Sequence, residues 1–178
     1  MNRFVPALVA PLLGWASAHP LDEVVQGAYL TLAPGSVRLE LNLTPGMQVV
    51  GTFIQALDPN ADGKVTEAEA RAYALRVLGQ STLQVNSAAV PWTLDQVEVP
   101  PVPALKVGGV IKIYATARRP DRTGAQTLTY QNRYQPVKSQ WMANIFLLPG
   151  AGWQYGVTGQ RHSNDGRRLT VTYTVTRP

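Results

Sequence analysis

The sequence predicts a mainly β protein, an antiparallel, immunoglobulin-like β-sandwich with one inserted pair of helices. Residues 37–43 and 169–175 alternate between apolar and polar side chains without error. Because successive side chains of a strand point to opposite faces, this pattern is typical of a strand with one buried face. The run Asn164-Asp165-Gly166 favours a tight hairpin turn, since these residues tolerate positive φ. Residues 44–80 break the alternation and have helical spacing instead.

Further strands are predicted at intervals along the chain, separated by turns rich in Pro and Gly. Short strands at such spacing are typical of a sandwich. They cover residues 24–32, 82–85, 92–99, 111–115, 126–131, 141–147 and 153–160. Residues 99–103 are rich in proline, which cannot donate to a β-ladder, so we expect an extended edge or crossover there.

Two helices are predicted within residues 44–80. In the first, Thr44 is expected to cap the N-terminus and Pro45 to occupy the first helical position. The second is predicted over residues 67–78, with Thr66 as its N-cap, Glu69 at the capping-box position and Gly79 at its end. The apolar face of the first helix is predicted to comprise Met47, Val50, Ile54 and Leu57.

Between these helices, residues 58–69 match the EF-hand calcium loop at every diagnostic position. Ca²⁺ takes six to eight oxygen ligands, and alternate acidic or amide side chains can surround one side of the ion. Gly63 at position six permits the positive φ that the turn needs. The predicted ligands are Asp58, Asn60, Asp62, the carbonyl of Lys64, Thr66 and both carboxylate oxygens of Glu69. Two alternatives stay open: a surface turn that binds no ion, and a purely structural ion.

The first eighteen residues have the layout of a secretory signal peptide. Arg3 precedes an apolar stretch over residues 4–15, and Ala16-Ser17-Ala18 offers the small residues that a signal peptidase recognises. Cleavage before His19 would leave one domain, residues 19–178, in the periplasm or outside the cell. The alternative is a buried N-terminal strand or a membrane anchor. With no cysteine, the exported chain must be stabilised by its core or by a metal ion.

Composition and charge narrow the function classes further. The chain has 16 Lys and Arg against 11 Asp and Glu, without a nucleic-acid recognition motif, so we expect no nucleic-acid partner. The arginines at 118, 119, 122, 161, 167 and 168 form clusters that either contact an anionic envelope surface or are solvated loops. Ser163 follows His162, but neighbours on a strand face opposite ways, so no catalytic triad is predicted. We expect no enzymatic activity.

The start His19-Pro20-Leu21, two strands and then the loop at residues 58–69 resemble a bacterial arrangement. It is similar to the periplasmic domain that precedes the membrane helices of nickel/cobalt-permease-like proteins. The resemblance implies an exported, metal-responsive, β-rich module that works beside a membrane or envelope protein. Because no membrane helices follow Pro178 in this sequence, it implies a stand-alone module rather than a transporter.

Two other ligand classes are compatible with the sequence. His19, with its α-amine and imidazole, could join His162 in binding Cu²⁺ or Ni²⁺, and Asp22 could add an oxygen. Otherwise His19 is a frayed terminus and His162 a surface residue.

The tryptophans Trp92, Trp141 and Trp153 could stack on sugar rings, which would make a carbohydrate-binding sandwich, or they fill the edge of the core.

Overall fold

The computed structural model describes residues 21–177. The predicted signal peptide and His19 lie outside the described residues. Strands are β1 (Val24–Ala33), β2 (Ser36–Pro45), β3 (Ser81–Val85), β4 (Ala88–Ala89), β5 (Thr93–Glu98), β6 (Ile111–Arg118), β7 (Gly124–Asn132), β8 (Ser139–Leu147), β9 (Gln154–His162) and β10 (Arg168–Thr176). Helices are α1 (Val50–Leu57), α2 (Glu67–Leu78) and the single turn α3 (Val102–Leu105). The described part contains no helix with the length and apolar character to cross a bilayer.

The strands form two five-stranded sheets, in the orders β5-β6-β2-β1-β8 and β4-β3-β7-β10-β9. This confirms a mainly β fold whose two sheets are mostly antiparallel, consistent with a sandwich. One pair departs from the antiparallel expectation: β1 runs parallel to β8, from Val24 beside Ser139 to Leu32 beside Leu147. Strand β1 therefore lies between a hairpin partner and a strand from the second half of the chain.

The core lies between the sheets, where the alternating residues of both meet. In β10 the predicted inward residues Leu169, Val171, Tyr173 and Val175 are at most 1% exposed. In β2 the inward residues Val37, Leu39, Leu41 and Leu43 are at most 2% exposed. The period-two prediction is therefore confirmed in both strands.

The start of the first helix was predicted wrongly. Thr44 and Pro45 belong to β2, where they lie opposite Val25 and Val24 of β1. Pro45 lies beyond the last β2–β6 pair, Leu43 with Ile111, so its missing N–H leaves that ladder intact. Helix α1 begins only at Val50, without a side-chain cap.

The buried face of α1 also differs from the prediction. Val50, Phe53 and Leu57 point into the core, whereas Met47 precedes the helix and is 59% exposed. Ile54 is partly buried. Pro101 is extended as expected, but residues 102 and 103, which were also expected to be extended, belong to α3, whose Leu105 is fully buried.

Candidate metal-binding loop

Residues 58–66 join α1 to α2, and both helices are held by the core. Helix α2 packs against β5 and β3. It buries Tyr73, Ala74 and Val77 completely. Its bounds confirm the predicted helix over residues 67–78. The loop therefore leaves and enters helices that are fixed on the sandwich.

Asp58 organises the first half of the loop. It follows the last residue of α1 and is only 5% exposed. Its Oδ1 accepts a hydrogen bond from the backbone N–H of Asp62 at 3.1 Å, and its Oδ2 accepts one from the N–H of Gly63 at 2.9 Å. These bonds bend the chain back over the carboxylate. Gly63 has φ +80°, which confirms the conformation expected at position six.

Asn60 and Asp62 complete a cluster of side-chain oxygens. The N–H of Asp62 also donates to Oδ1 of Asn60 at 3.0 Å, so oxygens of Asp58 and Asn60 converge on one amide. Asp62 in turn accepts from the N–H of Lys64 at 2.9 Å. The structure thus brings together the predicted ligands of positions one, three and five on one side of the loop.

Glu69 lies apart from that cluster. Its Oε2 accepts from the N–H of Thr66 at 2.9 Å and from the Thr66 hydroxyl at 2.7 Å. The hydroxyl of Thr66 accepts from the N–H of Glu69 at 3.3 Å, so the capping box predicted from the sequence is present. Within residues 21–177 no three His, Asp or Glu side chains are grouped so that they could hold a metal ion.

The second half of the loop faces the proline-rich segment. Gly63, Lys64 and Val65 line a shallow groove of about 320 Å³ with residues 99–103. Val65, at loop position eight, packs against the core rather than forming a strand. The loop is thus supported on this side by the core of the fold.

The two described residues of the alternative metal site, His162 and Asp22, have separate partners. His162 ends β9, and its Nε2 lies 2.8 Å from the carbonyl oxygen of Ala143 on the neighbouring β8. The Asp22 carboxylate accepts from Lys138 at 3.5 Å. His19 lies outside the described residues, so the structure does not show how it is placed relative to either.

Each of the three tryptophans contacts a different side chain, and Trp92 and Trp153 also pack against the core. Trp92 meets the buried ring of Tyr130 edge-on. The guanidinium of Arg167 lies 3.9 Å from the ring centroid of Trp141, and that of Arg177 lies 5.0 Å from the ring of Trp153. Within residues 21–177, none of the three rings pairs with another of the three.

A buried polar network near α2 was missed by the sequence analysis. Gln26 of β1 accepts from the side-chain amide of Asn132 at 2.9 Å and donates to the carbonyl oxygen of Tyr134 at 2.9 Å. The hydroxyls of Tyr134 and Tyr73 are 2.9 Å apart, which ties α2 to this network. Burial raises the pKa of Tyr73 far above its usual value. The sequence does contain a signal for this network: Gln26 and Asn132 are polar residues at inward positions of strands, and buried polar groups need hydrogen-bond partners.

Neither a family model nor a curated protein matches the chain.

Proposed function

We propose that this chain is an exported protein that binds one Ca²⁺ in residues 58–69, as a structural or regulatory binding module and not as an enzyme. The fold would be an immunoglobulin-like sandwich with an inserted EF-hand. The observation that supports this best is the convergence of the Asp58 and Asn60 oxygens on the Asp62 amide. Oxygen ligands from two positions of the loop motif then lie on one side of a tight turn, where a hard cation could bind them.

Charge favours the same ligand. Asp58, Asp62 and Glu69 carry three carboxylates within one loop. A divalent cation offsets most of that charge and relieves the mutual repulsion. The neutral oxygens of Asn60, Thr66 and the Lys64 carbonyl would raise the ligand number toward the six to eight that Ca²⁺ takes.

The capping box sets a cost for binding. Thr66 and Glu69 stabilise the start of α2, and losing such a cap costs about 0.5–2 kcal/mol. The Glu69 carboxylate must break its hydrogen bonds with Thr66 to reach an ion held by Asp58 and Asp62. We therefore expect weak binding, with Kd on the order of 10⁻⁴–10⁻³ M, the range of extracellular calcium modules.

The rigid scaffold partly replaces the second hand that sensor proteins use. Helix α1 is held by Phe53 and Leu57, and α2 by Tyr73 and Val77, all in the core. Calcium is then expected to order the loop without opening the helix pair, which suits a stabilising role beside a membrane or envelope partner.

Calorimetric titration of the purified protein with CaCl₂ tests the proposal. Glu69→Gln is expected to weaken binding by about tenfold or more, because it removes the bidentate carboxylate. Glu67→Gln is the matched control, since Glu67 starts the same helix, is exposed and lies outside the ligand positions. Equal calcium affinity in wild type and Glu69→Gln would refute the assignment.

Export has a separate test. The precursor is expressed with its first eighteen residues in a bacterium, and the N-terminus of the exported product is sequenced. A mature chain that begins at His19 is expected. Retention of Met1 in a cytoplasmic product would contradict export.

A further inference from the structure

A second cavity, unrelated to the calcium loop, opens between the β3–β4 hairpin and the connection from β6 to β7. It has a volume of about 340 Å³. Val85, Val90 and Pro91 give it an apolar wall, and three arginines of the 118–122 cluster line the other side. No residue of the calcium loop lines it. The fold thus gathers one arginine cluster of the sequence around a single concave site.

Only one of the three arginines is neutralised. Arg119 is 7% exposed, and its Nη1 lies 2.9 Å from Oδ1 of Asp121. Asp121 is also engaged by the backbone N–H of Gly35 at 2.6 Å and by the hydroxyl of Tyr155 at 3.0 Å. These three partners hold it inside the protein.

Arg118 and Arg122 are exposed, and neither forms an ion pair within residues 21–177. The charges of Arg119 and Asp121 cancel, so Arg118 and Arg122 give the cavity an uncompensated charge of +2. In addition, Nε and Nη2 of Arg119 are buried with no hydrogen-bond partner in the described part of the chain. Such buried donors are rare, and they leave part of the Arg119 guanidinium without a hydrogen-bond acceptor.

We propose that this cavity binds a phosphate monoester with a small apolar body. Near pH 7 a phosphate monoester carries a charge of about −1.5 to −2, which matches Arg118 and Arg122 together. The planar guanidinium group pairs with phosphate oxygens through two parallel N–H donors. The apolar wall would take the organic part. A cavity of 340 Å³ is at the small end of the range for ligand pockets, so it suits a small group rather than a protein surface.

The test is calorimetric titration with phenyl phosphate in a calcium-free buffer that contains a chelator. Arg118→Gln/Arg122→Gln is expected to weaken binding by about tenfold or more. Arg161→Gln/Arg168→Gln removes the same charge from exposed positions outside the cavity and is expected to stay within about twofold. Arg118→Lys/Arg122→Lys keeps the charge but loses the planar donors, so an intermediate affinity is expected.

Two further arms distinguish the source of the phosphate group. Phosphatidylcholine vesicles doped with phosphatidic acid present it as a lipid headgroup, and phenyl phosphate presents it free. Binding in both arms that depends on Arg118 and Arg122 indicates a lipid, whereas binding of phenyl phosphate alone indicates a free ester.

Four results would overturn the inference: no binding of phenyl phosphate, unchanged affinity in the Arg118→Gln/Arg122→Gln variant, an equal loss in the Arg161→Gln/Arg168→Gln control, or vesicle binding without phenyl phosphate binding. If inorganic phosphate binds as tightly as phenyl phosphate, the organic part adds no affinity, and a ligand with an apolar body is contradicted. Calcium affinity is expected to be unchanged in every arginine variant, so failure here is distinguishable from failure of the calcium proposal.

Discussion

Replacing Asp58 by Asn is expected to destabilise the protein even when no calcium is present. The Asp58 carboxylate accepts two backbone hydrogen bonds, from Asp62 and Gly63, and is almost completely buried. An amide keeps only one acceptor oxygen. Its NH₂ group would then face a backbone N–H, so one donor of the loop loses its partner.

The magnitude follows from that one lost bond. A hydrogen bond to a charged group contributes about 1.5–3 kcal/mol, so we expect Asp58→Asn to lower the free energy of unfolding by about 2 kcal/mol. In a domain of this size, 1 kcal/mol shifts the unfolding temperature by about 2–4 °C. The expected decrease is therefore about 4–8 °C.

The assay is thermal unfolding followed by circular dichroism, with chelator and with excess calcium. Asp62→Asn is the matched control, because it removes the same charge from the same loop at an exposed position. It relieves the same carboxylate repulsion but is expected to change stability by no more than about 0.5 kcal/mol in chelator. Calcium should stabilise the wild type and have little effect on either variant.

Two results would refute this reasoning. One is an Asp58→Asn protein that unfolds in chelator at the wild-type temperature. The other is an Asp62→Asn protein that loses as much stability as Asp58→Asn, which would show that loop charge, and not the two buried bonds, decides the outcome.

Two further predictions concern the rest of the fold. Gly166→Ala is expected to cost more than about 3 kcal/mol in urea unfolding, because φ is +74° and the new Cβ would lie 2.1 Å from the Trp141 carbonyl oxygen. Gly63→Ala, with positive φ but open space, should cost only about 1–2 kcal/mol, and equal costs would contradict the clash. Stability is also expected to fall above pH 10, as urea midpoints at about pH 8 and 11 would show. Burial, followed by the Asp121 carboxylate, raises the pKa of Tyr155 to about 12, so the folded state keeps a proton that the unfolded chain loses near pH 10. Equal midpoints would contradict this. The pKa is raised by burial in the same direction for Tyr73, Tyr130, Tyr134 and Tyr173.

Short sequence patterns predicted the strands and helices that are determined by residues close to one another in the chain. The alternation in β2 and β10 reports which side chains are buried, and Thr66 with Glu69 reports where α2 begins. The Thr44-Pro45 pair misled because the same residues fit the end of a strand as well as a helix start. The partner strand β1 decided between the two.

Features that depend on distant parts of the chain were not predictable. Nothing in residues 24–32 specifies that β8 lies beside them in the parallel direction. The loop motif fixed the spacing of Asp58, Asn60 and Asp62, and the structure brings their oxygens together. Glu69 is hydrogen-bonded to Thr66. Whether it would leave Thr66 for an ion depends on the difference in free energy between the two states, which the spacing of the motif does not give. The cavity lined by Arg118, Arg119 and Arg122 likewise depends on how the β3–β4 hairpin lies against the end of β6.

The parallel pairing of β1 with β8 has a consequence for biosynthesis. Strand β1 is synthesised well before its partner β8, which ends at Leu147, and the Gln26 amide bonds to a carbonyl group 108 positions later. Until then β1 has one open edge and an unsatisfied inward amide. Pairings so far apart in sequence form slowly, because the intervening chain must lose its freedom first. The first sheet therefore cannot be completed until residues 139–147 have been synthesised.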